Sequence, residues 1–213
     1  MTKVKYILSD LGGVVLETDF NKFAKAVKKA SSHNGFEFDD NLKGLMDTVF
    51  YKLFALGKIE PFDFYVYASA YLKLYVEYDV FIKLWNEIIV KPNKKYCDFL
   101  EKAKIVGYTI IILSNIDKIH WKYSSKICKK LKLFDWIFLS CDHGFVKPDI
   151  LFFAYFCHCF KIKKSEAVFI DDKSENIQAA QSLGIPSILY DIRKHKDFLA
   201  EFNVLYPDIS LKY

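Results

Sequence analysis

The spacing of apolar residues along this chain changes several times, and each spacing is typical of one kind of element. Short runs rich in β-branched and aromatic residues predict strands at 3–8, 108–113, 136–139, 168–170 and 187–189. Apolar residues that recur every three or four positions predict helices at 93–106, 118–131, 150–160 and 174–183. Regular alternation of this kind is typical of a parallel sheet with right-handed crossovers. We therefore predict an α/β fold with a Rossmann-like parallel sheet.

A long block between the first strand and the next elements has only helical patterns. It covers residues 17–92, is rich in aromatic residues and has breakers at His33-Asn34-Gly35 and from Gly57 to Pro61. No repeat, low-complexity tract or linker divides the rest of the chain. We predict that residues 1–16 and 93–213 form the sheet core and that residues 17–92 form an inserted all-helical unit.

Bulk composition limits the kind of partner. At 213 residues with 52% hydrophobic content, the chain can bury a sizeable core. The net charge of +5 comes from 31 basic and 26 acidic residues that are interspersed, and the lysine groups fit the solvent faces of helices. We therefore predict no nucleic-acid partner, although a mildly positive field favours anionic substrates.

Cysteine usage and hydropathy indicate a compartment. The five cysteines are an odd number, and no secretory leader precedes them, which favours a reducing interior. Cys157-His158-Cys159 does not suit zinc, because residues two apart on a helix point in nearly opposite directions. Apolar runs are far shorter than the ~20 residues of a membrane span. We expect a cytoplasmic protein without a membrane partner.

Polar residues with distinct chemistry follow several predicted strands. Asp10 comes after an apolar run and before Gly12-Gly13, so its carboxylate should project from the carboxyl end of a strand, where ligands bind in open α/β sheets. Such a carboxylate can act as a nucleophile and form a covalent intermediate. Ser114-Asn115 ends another strand and offers a hydroxyl and amide donors to a phosphoryl oxygen, although simple turn chemistry gives the same pair.

Two further segments supply charge. Lys147 precedes Pro148, which favours extended backbone and limits where the ammonium can reach, and a lysine can neutralise a phosphate and a carboxylate together. Asp171-Asp172 ends a buried strand, and adjacent carboxylates repel each other unless a cation is near. Mg²⁺ typically uses one or two carboxylates together with water and substrate phosphate.

These motifs, in this order, make the chain similar to the haloacid dehalogenase-like (HAD) hydrolase superfamily. The resemblance covers nearly the whole chain. It rests on Asp10-Leu11-Gly12-Gly13-Val14, Leu113-Ser114-Asn115, Gly144-Phe145-Val146-Lys147-Pro148-Asp149 and Phe169-Ile170-Asp171-Asp172 followed by Asn176. The residues of these motifs resemble those of a subgroup of small phosphatases with a helical cap and an Asp-Leu-Gly-Gly first motif. It implies that residues 17–92 are the cap.

The resemblance also implies a role for each residue. Asp10 would accept the phosphoryl group and Lys147 would clamp negative charge. The residues in contact with substrate would be Ser114, Asn115 and Gly12. Mg²⁺ would be held by Asp10, the carbonyl of Gly12 and Asp172, with Asp171 acting directly or through a water. Asn176 would orient these ligands.

Gly12 departs from the usual pattern of the superfamily. Most of its phosphatases have an aspartate here, which acts as general acid for the leaving alcohol and then as base for water. Positioned acid-base groups contribute ~10²–10⁴-fold, so its loss implies a slow enzyme rather than an inactive one. Glu17 or Asp19 could replace the acid if the cap closes over the site, although a solvated loop carboxylate is the more ordinary interpretation of each.

The leading hypothesis is a Mg²⁺-dependent phosphatase of a small phosphorylated metabolite, with sugar phosphates or related monoesters as the best class. A catalytically weak protein that binds a phosphorylated ligand is the alternative, and Gly12 favours it. A 2-haloacid dehalogenase is less favoured, because Asp171-Asp172 would repel a bound carboxylate substrate. We expect a monomer or a homodimer, and the sequence does not decide between them.

Overall fold

The structure, a computed structural model, describes residues 4–31 and 44–206. A five-stranded parallel sheet with the strand order β5-β4-β1-β6-β7 lies at its centre. The strands of this sheet are β1 (Tyr6–Ser9), β4 (Thr109–Ser114), β5 (Trp136–Leu139), β6 (Ala167–Asp171) and β7 (Ser187–Leu189). The predicted parallel α/β sheet is confirmed. Lys3 of the first predicted strand and the breaker His33-Asn34-Gly35 lie outside the described residues.

Helices connect the strands and cover both faces of the sheet. Their bounds are α1 (Phe20–Ala30), α2 (Val49–Ala55), α3 (Pro61–Tyr71), α4 (Tyr78–Asn86), α5 (Lys94–Ile105), α6 (Lys118–Ile127), α7 (Ser140–His143), α8 (Ile150–Phe160), α9 (Ser174–Ser182) and α10 (His195–Leu205). Within the described ranges, no helix is both long and apolar enough to cross a membrane.

Alternation along the strands divides the sheet core into two layers. In β4, Ile110 and Ile112 pack into one hydrophobic cluster, and Ile111 and Leu113 pack into the other. Successive side chains of a strand point to opposite faces, so a strand that is apolar at every position can be buried on both sides. This explains why the central strands appear in the sequence as continuous apolar runs.

A third hydrophobic cluster lies among the helices between the first and second strands of the main sheet. It is largely aromatic, and Trp85 of α4 packs edge to face against Phe23 and Phe64 at ring-centroid distances of 5.1 and 5.0 Å. Ile119 of α6 also belongs to this cluster. We call α1 to α4 the inserted helices, and they pack on α6 through this shared core.

The ends of the inserted block differ from the helix-only prediction. Residues Leu16–Thr18 form β2 and Ile89–Pro92 form β3, and the two strands pair antiparallel. Both strands are too short to produce a clear period in the sequence. Their pairing brings the two ends of the inserted block together beside the first strand.

Two more differences concern helices. The helix predicted at 118–131 ends at Ile127, and a separate 3₁₀ helix follows at Lys129–Leu133. The helix α10 was not predicted, but its Phe198 and Phe202 are buried against Phe99 of α5 with ring-centroid distances of 5.0 Å. It completes one of the two layers that cover the sheet.

Candidate active site

Three carboxylates meet at the carboxyl edge of the sheet. Asp10 directly follows β1, Asp171 is the last residue of β6, and Asp172 comes next. Because β1 and β6 are parallel neighbours, their ends lie side by side, and one carboxylate oxygen from each residue lies within 4.8 Å of the others. Hard divalent cations such as Mg²⁺ prefer oxygen ligands of this kind. This cluster could therefore hold a metal ion.

The ammonium group of Lys147 joins two of these carboxylates. Its Nζ donates to Asp10 Oδ1 at 2.8 Å, to Asp171 Oδ2 at 2.6 Å and to the carbonyl oxygen of Leu113 at 2.8 Å. Burial would lower the pKa of Lys147, but the charges of Asp10 and Asp171 raise it above its ordinary value. The side chain is thus a fixed buried cation at the carboxylate cluster.

Two asparagines hold these charged groups in position. Asn115 Nδ2 donates to the carbonyl oxygen of Lys147, and Asn115 Oδ1 accepts from the Lys147 main-chain N–H, both at 2.8 Å. Asn176 Nδ2 lies 2.9 and 3.0 Å from the two carboxylate oxygens of Asp171. A contact between Asn115 and phosphate would therefore have to use its main chain, because its side-chain amide is committed to Lys147.

Gly13 allows the carboxylate of Asp172 to come close to the first loop. Its φ is +78°, in the left-handed region that favours glycine. A Cβ at Gly13 would lie 2.2 Å from Asp172 Oδ2 and 2.5 Å from Asp172 Cγ. Gly12 is different, because a Cβ there would meet only the Thr18 Cγ2 at 3.5 Å, an ordinary contact. A side chain can thus be added at Gly12 and cannot be added at Gly13 without moving Asp172.

Electrostatics at the cluster favour a cation. Burial raises the pKa of Asp10 to about 6, with Lys147 lowering it and Asp171 raising it again. Desolvation and the Asp171 charge likewise raise the pKa of Asp172. Each shift means that the folded protein resists full ionisation of the cluster. A bound divalent cation would relieve this repulsion.

A cavity of about 200 Å³ opens beside these groups. Asp10, Gly12, Ser114, Asn115, Lys147 and Asp172 are all among the residues that line it. The structure thus brings together the residues predicted from four separate segments. The predicted roles of these residues as nucleophile, clamp and ligands stay predictions. Asp171 and Asn176 are not among the lining residues: Asp171 accepts from Lys147, and Asn176 donates to Asp171.

A second polar cluster at the cavity was not predicted as a unit. Asp117 Oδ2 accepts from Trp85 Nε1 at 3.1 Å and lies 2.8 Å from His120 Nδ1, and His120 Nε2 lies 2.9 Å from the Trp85 carbonyl oxygen. Both ring nitrogens of His120 face acceptors, which favours the doubly protonated ring. His120 was not among the predicted site residues, and its polar atoms join α6 to α4.

Stability at this junction should depend on pH. Burial would lower the pKa of His120, but Asp117 raises it overall, while His120 lowers the pKa of Asp117 against the effect of burial. The pair therefore contributes fully between the ordinary values of about 3.9 and 6.5. Its contribution fades as pH rises through the folded pKa of His120 or falls through that of Asp117.

We expect His120→Gln to lower the free energy of unfolding by about 3 kcal/mol near pH 5.5, since it leaves a buried carboxylate without its cation. Above the raised pKa of His120, the difference between variant and wild type should shrink. Urea unfolding at a series of pH values measures this. The control is His158→Gln, which changes an exposed histidine of α8. A large difference that does not vary with pH would contradict the charged pair.

The two acids considered as substitutes for the missing aspartate make contacts of their own, and Glu17 also lines a neighbouring cavity of about 450 Å³ with Gly13 and Asp172. Asp19 is the N-cap of α1 and accepts from the Asn21 N–H at 2.9 Å. Glu17 pairs with Lys91 at 3.6 Å. Neither is among the residues that line the cavity with Asp10. In this arrangement, each makes a local contact of the kind that ordinary loop carboxylates make.

The fold and the cluster of Asp10, Ser114, Lys147 and Asp171-Asp172 define a hydrolase of the HAD type. The chain belongs to the haloacid dehalogenase-like hydrolase family, whose model matches residues 4–184. The match includes every candidate site residue named above. The family assignment confirms the resemblance seen in the motifs at the level of the superfamily.

Solved structures and curated proteins agree with this assignment. The HAD family enzyme bt-2542 from Bacteroides thetaiotaomicron superposes with a TM-score of 0.82 at 25% identity, covering 93% of this chain and 99% of that one. Its complex with magnesium and inorganic phosphate superposes at 0.76 with 27% identity, covering 87% and 93%. The sesquiterpene phosphatase astK from Aspergillus oryzae is 26% identical over 145 residues, covering 68% of this chain and 74% of astK.

Another match involves part of a larger protein. Drimenol cyclase drtB from Aspergillus calidoustus is 36% identical over 78 residues, which is 37% of this chain but only 15% of drtB. The chain therefore spans a small part of that relative.

Proposed function

We propose that this chain is a Mg²⁺-dependent phosphatase that hydrolyses a small phosphorylated metabolite through an aspartyl-phosphate at Asp10. The observation that carries the proposal is the Lys147 ammonium, fixed within 2.8 Å of Asp10 and 2.6 Å of Asp171 at the edge of a cavity. A relative described as a phosphatase and a structural neighbour in complex with magnesium and inorganic phosphate support it.

The reaction follows from the positions of these groups. A carboxylate oxygen of Asp10 attacks phosphorus, an O–P bond forms, and the bond between phosphorus and the ester oxygen breaks. The departing alcoholate takes a proton from water. A second water then attacks phosphorus, releases inorganic phosphate and restores the carboxylate, with its proton passing to solvent. Lys147 and the hydroxyl of Ser114 stabilise the phosphoryl oxygens as charge develops on them.

The residues present fit a magnesium ion. The metal would be held by Asp10, the main-chain carbonyl of Gly12 and Asp172, with Asp171 acting directly or through a water. When bound, Mg²⁺ neutralises phosphate charge and orients the transferred group. The contact between Gly13 and Asp172 supports this ligand set, because only a residue without a Cβ leaves the carboxylate room there.

The inserted block would cover the site. Residues 17–92 would act as a cap over a core of residues 1–16 and 93–213, as in the capped phosphatase subgroup with an Asp-Leu-Gly-Gly first motif. Trp85 of α4 contacts Asp117 and His120 at the cavity, which supports a cap in contact with the site. We further propose a cytoplasmic monomer or homodimer without a nucleic-acid or membrane partner.

A phosphate-binding protein with little activity is the second candidate. Gly12 favours it, because no carboxylate stands where the superfamily usually has its general acid. The Asp10, Lys147 and Asp172 arrangement favours an enzyme, since a binding protein does not need a buried carboxylate beside a fixed ammonium. A dehalogenase is disfavoured by the three carboxylates, which would repel a haloacid substrate.

Phosphate release from a panel of phosphorylated metabolites, with and without Mg²⁺, tests the proposal. We expect release that depends on Mg²⁺ and stops when the ion is chelated. If the protein binds inorganic phosphate or a phosphate analogue but releases phosphate from no compound, the result would favour the phosphate-binding protein. Halide release from 2-haloacids without added metal would favour the dehalogenase.

We expect Gly13→Ala to weaken Mg²⁺ binding by about 10- to 100-fold, the loss typical when the surroundings of a metal ligand are disturbed. The added methyl group would displace the Asp172 carboxylate. Calorimetric titration with Mg²⁺ measures the effect. Gly184→Ala is the control, because its φ of +84° imposes the same backbone strain with nothing within 4 Å. Equal Mg²⁺ affinities in the two variants would contradict the assignment of Asp172.

We expect Gly12→Asp to raise turnover of alkyl phosphates by about 10²-fold, because it adds a proton donor where the leaving alcohol departs. The φ of Gly12 is not positive, and a Cβ there meets no atom closer than 3.5 Å. p-Nitrophenyl phosphate, whose leaving group needs no acid, should gain little. Gly12→Asn has the same shape without the acid and serves as the control. Equal gains in both variants would reject acid catalysis as the missing function.

A further inference from the structure

The cavity beside Asp10 has two chemically different ends. The end nearest the sheet has the charged groups Asp10, Lys147 and Asp172 together with Ser114. The remaining lining is dominated by apolar and aromatic side chains: Leu11, Leu16, Met46, Tyr51, Ile88, Ile89 and Ile116. If the charged end binds phosphate, the apolar end is open to the alcohol part of the substrate. A neighbouring cavity of about 450 Å³ shares Thr18 and Asp172 with this one, but its lining includes the charged residues Glu17 and Arg193.

Three polar residues of the lining have their side-chain hydrogen-bonding atoms engaged within the protein. Asp117 Oδ1 accepts from the His120 N–H at 2.9 Å, while Oδ2 binds the Trp85 indole N–H. Both nitrogens of the His120 ring are paired with Asp117 and the Trp85 carbonyl. The side-chain amide of Asn115 is held by the Lys147 main chain. A hydroxyl-rich substrate would therefore compete with existing bonds.

Charge at the cavity leads to the same conclusion. Among the described residues that line it, the lysines are Lys147 and Lys173, and no arginine is present. Lys147 is bound to Asp10 and Asp171, and Lys173 directly follows the ligand candidate Asp172. Among the described residues, the cations of the lining thus lie beside the charged groups, and Met46, Tyr51 and Ile88 bring none.

The free energies of burying hydroxyl and CH₂ groups differ between sugar phosphates and alkyl phosphates. A hydroxyl that loses water without gaining a partner costs about 1–3 kcal/mol, whereas each buried CH₂ contributes about 0.8 kcal/mol. A sugar carries several hydroxyls, and the Thr18 and Tyr51 hydroxyls could satisfy only part of them. The cavity volume of about 200 Å³ is also below the ~300–1,000 Å³ of typical ligand pockets, which favours a compact alcohol.

We infer that the preferred substrate is a phosphate monoester of a compact hydrocarbon alcohol, held by the apolar end of the cavity. This inference rests on the proposed phosphatase function and changes its expected substrate class from sugar phosphates to alkyl phosphates. Met46, Tyr51 and Ile88, which all come from the inserted block of residues 17–92, form part of the surface that selects the alcohol.

The test compares two monoesters in the Mg²⁺-loaded protein. n-Pentyl phosphate and glycerol 3-phosphate have leaving alcohols with the same number of non-hydrogen atoms and differ in the two hydroxyls. We expect kcat/KM to be at least about 10-fold higher for n-pentyl phosphate, the size of effect that a mismatched pocket produces. Glucose 6-phosphate should be a still poorer substrate.

The failures of the two proposals can be distinguished. Mg²⁺-dependent release that is equal or faster from glycerol 3-phosphate would overturn the hydrocarbon preference and leave the phosphatase standing. No release from either ester or from p-nitrophenyl phosphate would overturn the phosphatase, and the inference with it.

A pair of variants locates the preference in the cavity. Met46→Gln places an amide at the apolar end with little change in size, and we expect it to lower kcat/KM for n-pentyl phosphate by about 10-fold while glycerol 3-phosphate gains or is unchanged. Met46→Leu keeps the position apolar and should retain the preference. An unchanged ratio of the two substrates in Met46→Gln would place the selection elsewhere and overturn the assignment of this surface.

Discussion

Asp10→Asn is expected to reduce phosphate release by about 10⁴-fold or more, since it removes a nucleophile that forms a covalent intermediate. The fold should tolerate the change. The pKa of Asp10 is raised to about 6, which means that the folded protein disfavours its charged form. A neutral amide of the same shape should therefore leave the free energy of unfolding at pH 7 equal or higher when no metal is bound.

The control for Asp10→Asn is Asp19→Asn, which makes the same chemical change at the N-cap of α1. Asparagine caps helices as well as aspartate does, so activity and stability should both stay close to wild type. Phosphate release and urea unfolding are measured for both variants. A variant at Asp10 that folds and retains a tenth or more of the activity would exclude this residue as nucleophile.

Lys147→Met is expected to lower both activity and stability. Removal of a group that stabilises charge on the reacting phosphoryl oxygens costs about 10²–10³-fold in turnover. The same substitution leaves Asp10 and Asp171 buried without their shared cation, and breaking such a pair costs about 3–5 kcal/mol. Because Mg²⁺ can supply part of the missing charge, added Mg²⁺ should raise the melting temperature more in the variant than in wild type.

Lys83→Met is the matched control, because Lys83 forms an exposed pair with Asp79 at 3.3 Å on α4. Such surface pairs contribute about 0–1 kcal/mol, so the control should keep its activity and nearly all of its stability. Thermal unfolding with and without Mg²⁺ separates the two variants. Stability of Lys147→Met within 1 kcal/mol of the control would contradict the central role given to the Lys147 ammonium.

The functional residues at the sheet edge could be predicted from the sequence because each lies at the end of a contiguous apolar run. Asp10, Ser114 and Asp171 each directly follow or end a continuous apolar run, and parallel strands bring such ends to one edge. Lys147 was harder to place, since its position depends on a loop. Its three contacts with Leu113, Asp10 and Asp171 explain why that loop must carry a lysine.

Contacts between distant segments could not be predicted. Trp85 and His120 appear in the sequence as an aromatic core residue and a histidine near a helix start, and only the packing of α4 on α6 joins them through Asp117. Asn115 was read as a phosphate contact because it follows Ser114, yet its side chain binds the Lys147 backbone. The strands β2 and β3 are too short for their period to be recognised.

The most direct test of the account is a search for the phosphoryl group on Asp10 during turnover. The Mg²⁺-loaded protein is mixed with a substrate it hydrolyses, quenched rapidly in acid, digested and analysed by mass spectrometry. We predict that the peptide containing Asp10 carries one added phosphoryl group, which is absent without Mg²⁺ and absent in Asp10→Asn. Steady hydrolysis with the phosphoryl group on another residue would contradict the proposed mechanism.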